Sequence, residues 1–206
     1  GDERLHVVDG LGLDAGADRE VALGRVAHRQ RLHLGDEAAL RGLVADVLKQ
    51  QGRLDVLINN AGESARIPHT DLKAATPAVW RRMLEINLIA PFVLIAEAET
   101  ALRMSAEGGR PASVVNIGTH SGVRPKGASI PYATAKAGLH HATRLLALAL
   151  GPAIRVNCVA PGLVETPMSA GWPEATELWK TKAPMRRPAQ PEDIADLVAA
   201  LCGNDY

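Results

Sequence analysis

Residues 54 to 62 read LDVLINNAG, an apolar run broken only by Asp55 that ends in two asparagines, an alanine and a glycine. A run with no polar alternation is apolar on both faces, as expected of a strand in a parallel sheet covered by helices on each side. Two more runs have this form, ASVVNIG at 112 to 118 and AIRVNCVAP at 153 to 161. The segments between them have helical periodicity. DEAALRGLVADVLKQQG begins with acidic residues and ends at Gly52, where a helix C-cap belongs. Residues 76 to 104 open with Thr76 as N-cap and Pro77 at the first helical position, and a further helix over 132 to 150 stops at Gly151 and Pro152. This alternation, with no repeats and no low-complexity linker, predicts one domain over 1–206 of the α/β class, a doubly wound parallel sheet.

Ligands of such sheets bind beyond the C-terminal strand ends, so the residues that follow each strand are the ones to read for chemistry. Asn60, Ala61 and Gly62 form a turn that lets backbone approach a ligand closely. The second run delivers hydroxyls at Thr119 and Ser121, which could bind a substrate oxygen as charge develops on it. YATAK, from Tyr132 to Lys136, puts a phenol and an ammonium on one helix face. A phenol titrates at about 10 and a nearby cation favours phenolate, so the pair is expected to bring Tyr132 toward neutral-pH proton exchange with an alcohol or carbonyl. The third run leads into Pro161, Gly162, Leu163, Val164, Glu165, Thr166 and Pro167, a rigid loop whose backbone and Thr166 hydroxyl could hold a cofactor.

Composition limits the alternatives. The 206 residues are 47% apolar and carry 23 basic and 23 acidic side chains, with no basic stripe. That balance gives no electrostatic footprint for nucleic acid or an anionic membrane, so a small-molecule partner is expected. The longest apolar stretch, LIAPFVLIA at 88 to 96, falls well short of the ~20 residues that span a bilayer. The opening GDER lacks the features of a secretory signal, and the two cysteines have no metal-ligand spacing; reduced thiols and the cytoplasm are the expectation.

Together, NNAG, the Tyr-x-x-x-Lys pair and IRVNCVAPGLVETPM resemble the short-chain dehydrogenase/reductase family over nearly the whole chain, in particular its 3-oxoacyl-acyl-carrier-protein-reductase-like branch. The resemblance implies a Rossmann-like fold, a nicotinamide cofactor, and hydride transfer between the nicotinamide and a ketone or secondary alcohol. It implies Tyr132 as proton donor or acceptor, with Lys136 holding the nicotinamide ribose and lowering the phenol's pKa. Asn87 matches the asparagine that anchors a water in a proton relay, and Thr119 stands where the family usually has the substrate-polarising serine, with Ser121 as its competitor. Asn60, Ala61 and Gly62 would pass the adenosine ribose, and Pro161, Gly162, Val164 and Thr166 the nicotinamide amide. A homotetramer or homodimer is implied through the helices that hold Asn87 and Tyr132.

VVDGLGLDAG at 7 to 16 looks like a phosphate-binding turn, but its glycines read G-x-G-x-x-x-G where the family has G-x-x-x-G-x-G. Too few residues separate Gly10 from Asn59 for the elements that should intervene. The better fit makes Leu5 to Asp9 the second strand, with Asp9 bonding the adenosine ribose hydroxyls and repelling a 2'-phosphate, which favours NAD over NADP. At the end of the next strand, around Gln30 to Leu34, His33 replaces an aspartate often found beside adenine. On this reading the first strand, the glycine-rich loop and the last strand are missing from the sequence, and the whole protein is expected to contain them.

His140 and His141 are adjacent, without the spacing of helical metal ligands, and read as packing or surface residues; no metal is expected. Trp172, Trp179 and the prolines between 171 and 184 fall where the family has its substrate lid. A non-catalytic relative that senses a cofactor or scaffolds is the alternative, favoured by Thr119, His33 and the missing glycine loop and opposed by Asn87, Tyr132 and Lys136.

Overall fold

The computed structural model describes residues 5–8, 36–107 and 109–204. Four parallel strands, β1 (Leu5–Val8), β2 (Val56–Asn59), β3 (Ala112–Ile117) and β4 (Ile154–Val159), form one sheet in that order. Register pairs Val56 with Ser113 and Asn59 with Asn116, then Ala112 with Ile154 and Ile117 with Val159, so the C-terminal ends of β2, β3 and β4 lie along one rim.

Helix α1 (Glu37–Gln51) begins and ends where its residues dictate. Asp36 accepts from the Ala39 N–H at 3.1 Å, and Gly52, at φ 74°, donates to the Leu48 carbonyl at 2.8 Å. The helical stretch expected over 76–104 divides into α2 (Pro77–Leu84), a π turn over Glu85–Ile89, and α3 (Ala90–Ala106). A regular helix would bond the Asn87 carbonyl to the N–H four residues on, and that residue is Pro91, which has none. Helix α4 (Ile130–Leu150) starts two residues earlier than expected, because Ser129 caps it with Pro131 in the first turn. Helices α5 (Pro173–Lys182) and α6 (Pro191–Gly203) complete the described chain.

Side chains alternate across the sheet. Leu57, Val114 and Val156 pack on one face with Leu40, Leu43 and Val44 of α1 and Leu94, Ile95 and Leu102 of α3. Val56, Ile58, Val115 and Val159 pack on the other with Val198 and Cys202 of α6. Helices on both faces make this the doubly wound sheet expected.

One placement corrects the sequence reading. Leu5–Val8 is a strand, but it pairs in parallel with β2, Leu5 against Val56 and Val8 against Asn59. In the doubly wound order 3-2-1-4 the neighbour of the fourth strand is the first, not the second. The place read as missing its first strand is therefore filled by Leu5–Val8. Asp9, His33 and the strand around Gln30 to Leu34 lie outside the described residues.

Candidate active site

Beyond the rim opens a cavity of about 940 Å³, at the upper end of the range for small-molecule sites. Three loops, the π turn and the helices α4, α5 and α6 wall it. The loop after β2 brings Asn60, Ala61 and Gly62, the turn after β3 brings Thr119 and Ser121, and the loop after β4 brings Pro161, Gly162, Val164 and Thr166. Asn87 enters from the π turn, and Tyr132 and Lys136 from the first turns of α4. Every described residue singled out from the sequence as a site candidate thus borders one space.

Buried polar contacts hold the rim together. Asn59 and Asn116 end adjacent strands, and the Asn59 Nδ2 donates to the Asn116 Oδ1 at 2.8 Å. Asn116 in turn donates to the Thr143 hydroxyl of α4 at 3.0 Å, tying sheet to helix beneath the site. Ser129, fully buried, accepts from the Tyr132 N–H at 3.3 Å and so sets the backbone that carries the phenol. Ser169 was not singled out from the sequence, yet its hydroxyl donates to the Val164 carbonyl at 2.6 Å and accepts from the Thr166 N–H at 3.0 Å. The Pro161–Thr166 loop is thereby fixed.

Asn87 is fully buried, and its amide hydrogens go to the Glu63 carbonyl at 2.9 Å and the Met83 carbonyl at 3.0 Å. Its Oδ1 accepts from the Glu63 N–H at 3.3 Å, so the side chain fastens the loop after Gly62 to the π turn. The side chain is taken up in this way, and a water at this residue would meet the main chain instead. Gly62 has to be small here: a Cβ would stand 3.0 Å from the Asn87 Oδ1 and 3.6 Å from the Lys136 Nζ.

Lys136 is 4% exposed, and its Nζ donates to the Ile117 carbonyl at 2.7 Å. Burial pulls its pKa down from 10.5 to about 8, with Cys158 opposing. Tyr132 differs from the expectation of a phenol drawn toward neutrality. Burial raises its pKa above 10.0, and a hydrogen bond from Thr119 opposes the rise only in part. The physical reason is that the ammonium is itself desolvated and directed at the Ile117 carbonyl, so it exerts little pull on the phenol. Of the two candidate hydroxyls, Thr119 is the one whose nearness lowers the Tyr132 pKa.

The far wall is α5 and its approach. The Trp179 indole lies flat on Gly162, where no Cβ would fit, and its ring meets His120 edge-on at 6.1 Å. Arg66 reaches across to the Gly171 carbonyl and the Glu174 carboxylate, both at 3.1 Å. The tryptophan segment therefore roofs the cavity. Neither cysteine forms a disulfide; Cys158 is half-buried below the site and Cys202 is buried under α6. Among the described residues no cluster of His, Cys, Asp or Glu could hold a metal ion, and no helix is long and apolar enough to cross a membrane.

The site has recognisable counterparts. The family model described as enoyl-(acyl carrier protein) reductase matches residues 17–206. A protein of Streptomyces violaceoruber, provisionally named ketoacyl reductase 2 of the granaticin polyketide synthase, is 44% identical over 179 residues, 85% of this chain and 70% of its own. The rhamnolipids biosynthesis 3-oxoacyl-[acyl-carrier-protein] reductase of Pseudomonas aeruginosa is 35% identical over 175 residues, 82% of this chain and 67% of its own. Among solved structures, an NADP active-site complex of RhlG from Pseudomonas aeruginosa superposes with a TM-score of 0.79 at 33% identity, covering 87% of this chain and 72% of that one. A rim of this construction, on this sheet and with these relatives, has one reading: the chain belongs to the short-chain dehydrogenase/reductase family of nicotinamide-dependent oxidoreductases.

Proposed function

We propose that the protein interconverts a ketone and a secondary alcohol, with Tyr132 as the acid and base and a 3-oxoacyl thioester as the substrate class. The gathering of Thr119, Tyr132 and Lys136 on the wall of one cavity is the observation that carries this reading. Bound nicotinamide supplies or accepts the hydride at the carbonyl carbon. Tyr132 gives its proton to the carbonyl oxygen in reduction and takes it back in oxidation. Its raised pKa keeps the phenol protonated at neutral pH, which suits it to the donor's part. A substrate oxygen entering here would receive the Thr119 hydroxyl, and its developing charge would be met by a fixed donor.

Residue chemistry also fits the cofactor. Lys136 has three N–H donors and only one is spent, on the Ile117 carbonyl, which leaves two for ribose hydroxyls. The Asn87 main chain, relieved of its helical partner by Pro91, would hold a water that reprotonates Tyr132. The Pseudomonas neighbour was captured with NADP.

The thioester reading rests on the relatives' names, on a mainly apolar cavity roofed by Trp172 and Trp179, and on Lys126 and Arg66 in its lining. Pairing of copies through α3 and α4 is supported by exposed apolar side chains, Ile89, Phe92 and Leu145 among them. Free cysteines support a reducing compartment, the cytoplasm.

The test is titration of the protein with NADH and NADPH, followed by Tyr132→Phe assayed on 3-oxoacyl thioesters and simple ketones. The variant should bind cofactor as the wild type does and turn over about 10³-fold more slowly. Full activity in the variant would remove Tyr132 from the mechanism, and a wild type that binds neither dinucleotide would favour the sensing or scaffolding alternative.

A further inference from the structure

His140 lies two helical turns beyond Tyr132 on α4, next to an exposed His141, and neither its spacing nor its neighbours in sequence suggested a part in the site. In the fold its half-buried ring sits beneath the turn that runs from Gly118 to Gly122. The Thr119 N–H donates to its Nε2 at 3.2 Å. The two residues whose side chains would collide with the ring are both glycines. A Cβ on Gly122 would come within 2.8 Å of the His140 Cε1, and a Cβ on Gly118 would occupy the space of Nε2 itself. Thr119, held in this way, caps the short turn over His120–Gly122 by accepting from the Ser121 N–H at 3.3 Å, and it lines the cavity together with Tyr132.

We propose that His140 is a positioning residue: its neutral imidazole, by accepting the Thr119 N–H, fixes the turn that sets Thr119 in the wall of the cavity it shares with Tyr132, so that turnover requires His140 to be unprotonated. The inference rests on the reading of Tyr132 and Thr119 given above. Its chemistry follows from the bond itself. A backbone N–H can only donate, so Nε2 must offer its lone pair and the ring proton must sit on Nδ1. An imidazolium carries a proton on each nitrogen, and two donors would then face one another.

The groups around the ring disfavour that charge. Lys136 and Arg144 flank it on its own helix, Cys158 approaches from β4, and the turn above carries His120, which faces Trp179. Burial first, then the two cations, hold the His140 pKa below the ordinary 6.5. The sign follows directly. Between that lowered value and 6.5 the unfolded chain binds more protons than the folded one, so stability falls as pH drops through the window. Turnover should fall on the same acid limb, as the Thr119 turn is released.

The experiment needs one measurement that does not depend on activity. In wild-type protein at neutral pH, the ¹⁵N spectrum of the His140 ring, assigned by its loss in His140→Gln, should show a protonated Nδ1 and an unprotonated Nε2. Two variants then separate positioning from packing. His140→Gln keeps an acceptor oxygen but cannot titrate; it should retain kcat within a few-fold and lose the acid limb. His140→Leu keeps the bulk and removes the acceptor; it should lower kcat about tenfold, the worth of one hydrogen bond, with cofactor Kd unchanged. A proton on Nε2, or an acid limb unaltered in both variants of an active enzyme, would overturn this inference alone. A wild type with no turnover on any ketone would overturn the Tyr132 mechanism and the catalytic half of this inference, even with the ¹⁵N pattern as expected.

Discussion

The face of the sheet under α1 and α3 and the rim at the C-terminal strand ends are both buried, but they are buried in opposite ways. Under the helices, Leu40, Ile95, Leu102, Val114 and Ile154 are 2% exposed or less and fill space with hydrocarbon. Many side chains of the same chemistry would serve there, provided volume is kept. At the rim, Asn59, Asn87, Asn116, Ser129 and Lys136 are 4% exposed or less, and all are polar. Burying such groups costs free energy unless each finds a partner, and one atom, the Asn59 Oδ1, has none. The comparison teaches that the hydrocarbon face supplies stability, which the rim uses to keep polar groups at fixed positions.

The largest effect should come from Lys136→Met, which removes the buried ammonium. Turnover should fall about 10³-fold, since the donors offered to the cofactor ribose are lost. Stability should rise at neutral pH. The drop from 10.5 to about 8 is worth ~3 kcal/mol, and the lost bond to the Ile117 carbonyl returns ~1 kcal/mol of it. Above pH 8 the folded wild type releases this proton before the unfolded chain does, so its stability climbs and the urea midpoints of the two proteins should converge toward pH 10.5. A less stable variant at pH 7 would mean that the ammonium holds the fold together.

Next comes the reverse substitution on the other region. Leu102→Ala, fully buried on α3, should cost ~3 kcal/mol by urea denaturation while kcat of the folded enzyme stays at the wild-type value. A kcat that falls with stability would show that the two regions are mechanically joined. The smallest effect is at the point where they meet. Ser129→Ala removes the cap of α4 and should cost ~1 kcal/mol, with a few-fold loss of kcat because Tyr132 sits in the uncapped turn.

The same contrast explains what could be read from the chain. LDVLINN, ASVVNIG and AIRVNCVAP were legible as strands because burial on both faces leaves an unbroken apolar run, and α1 was legible from Asp36 and Gly52 because capping is local chemistry. The three loops of the site were legible because they follow strands. What was not legible depended on neighbours far away in sequence. No periodicity says that LHVV pairs with β2, since an edge is filled by whichever extended segment reaches it. The π turn hid within a continuous apolar pattern, and its one local sign is Pro91, four residues after Asn87. Nor can spacing show that Lys136 spends a donor on the Ile117 carbonyl and leaves the phenol to be raised by burial. His140 was passed over beside His141, although Gly118 and Gly122, spaced to admit a ring, were visible.

The π turn over Glu85–Ile89 also sets the phase of the helix that follows it. Such a turn holds one residue more than an α turn, and each residue advances a helix by about 100°. Upstream, Met83 and Asn87 face inward to the site; downstream, Leu94, Ile95, Ala98 and Leu102 face inward to the sheet. A regular helix through 77–106 could satisfy one of these sets, and the extra residue lets it satisfy both. Loss of a single residue there would leave every side chain's chemistry intact and turn one end of the helix the wrong way round.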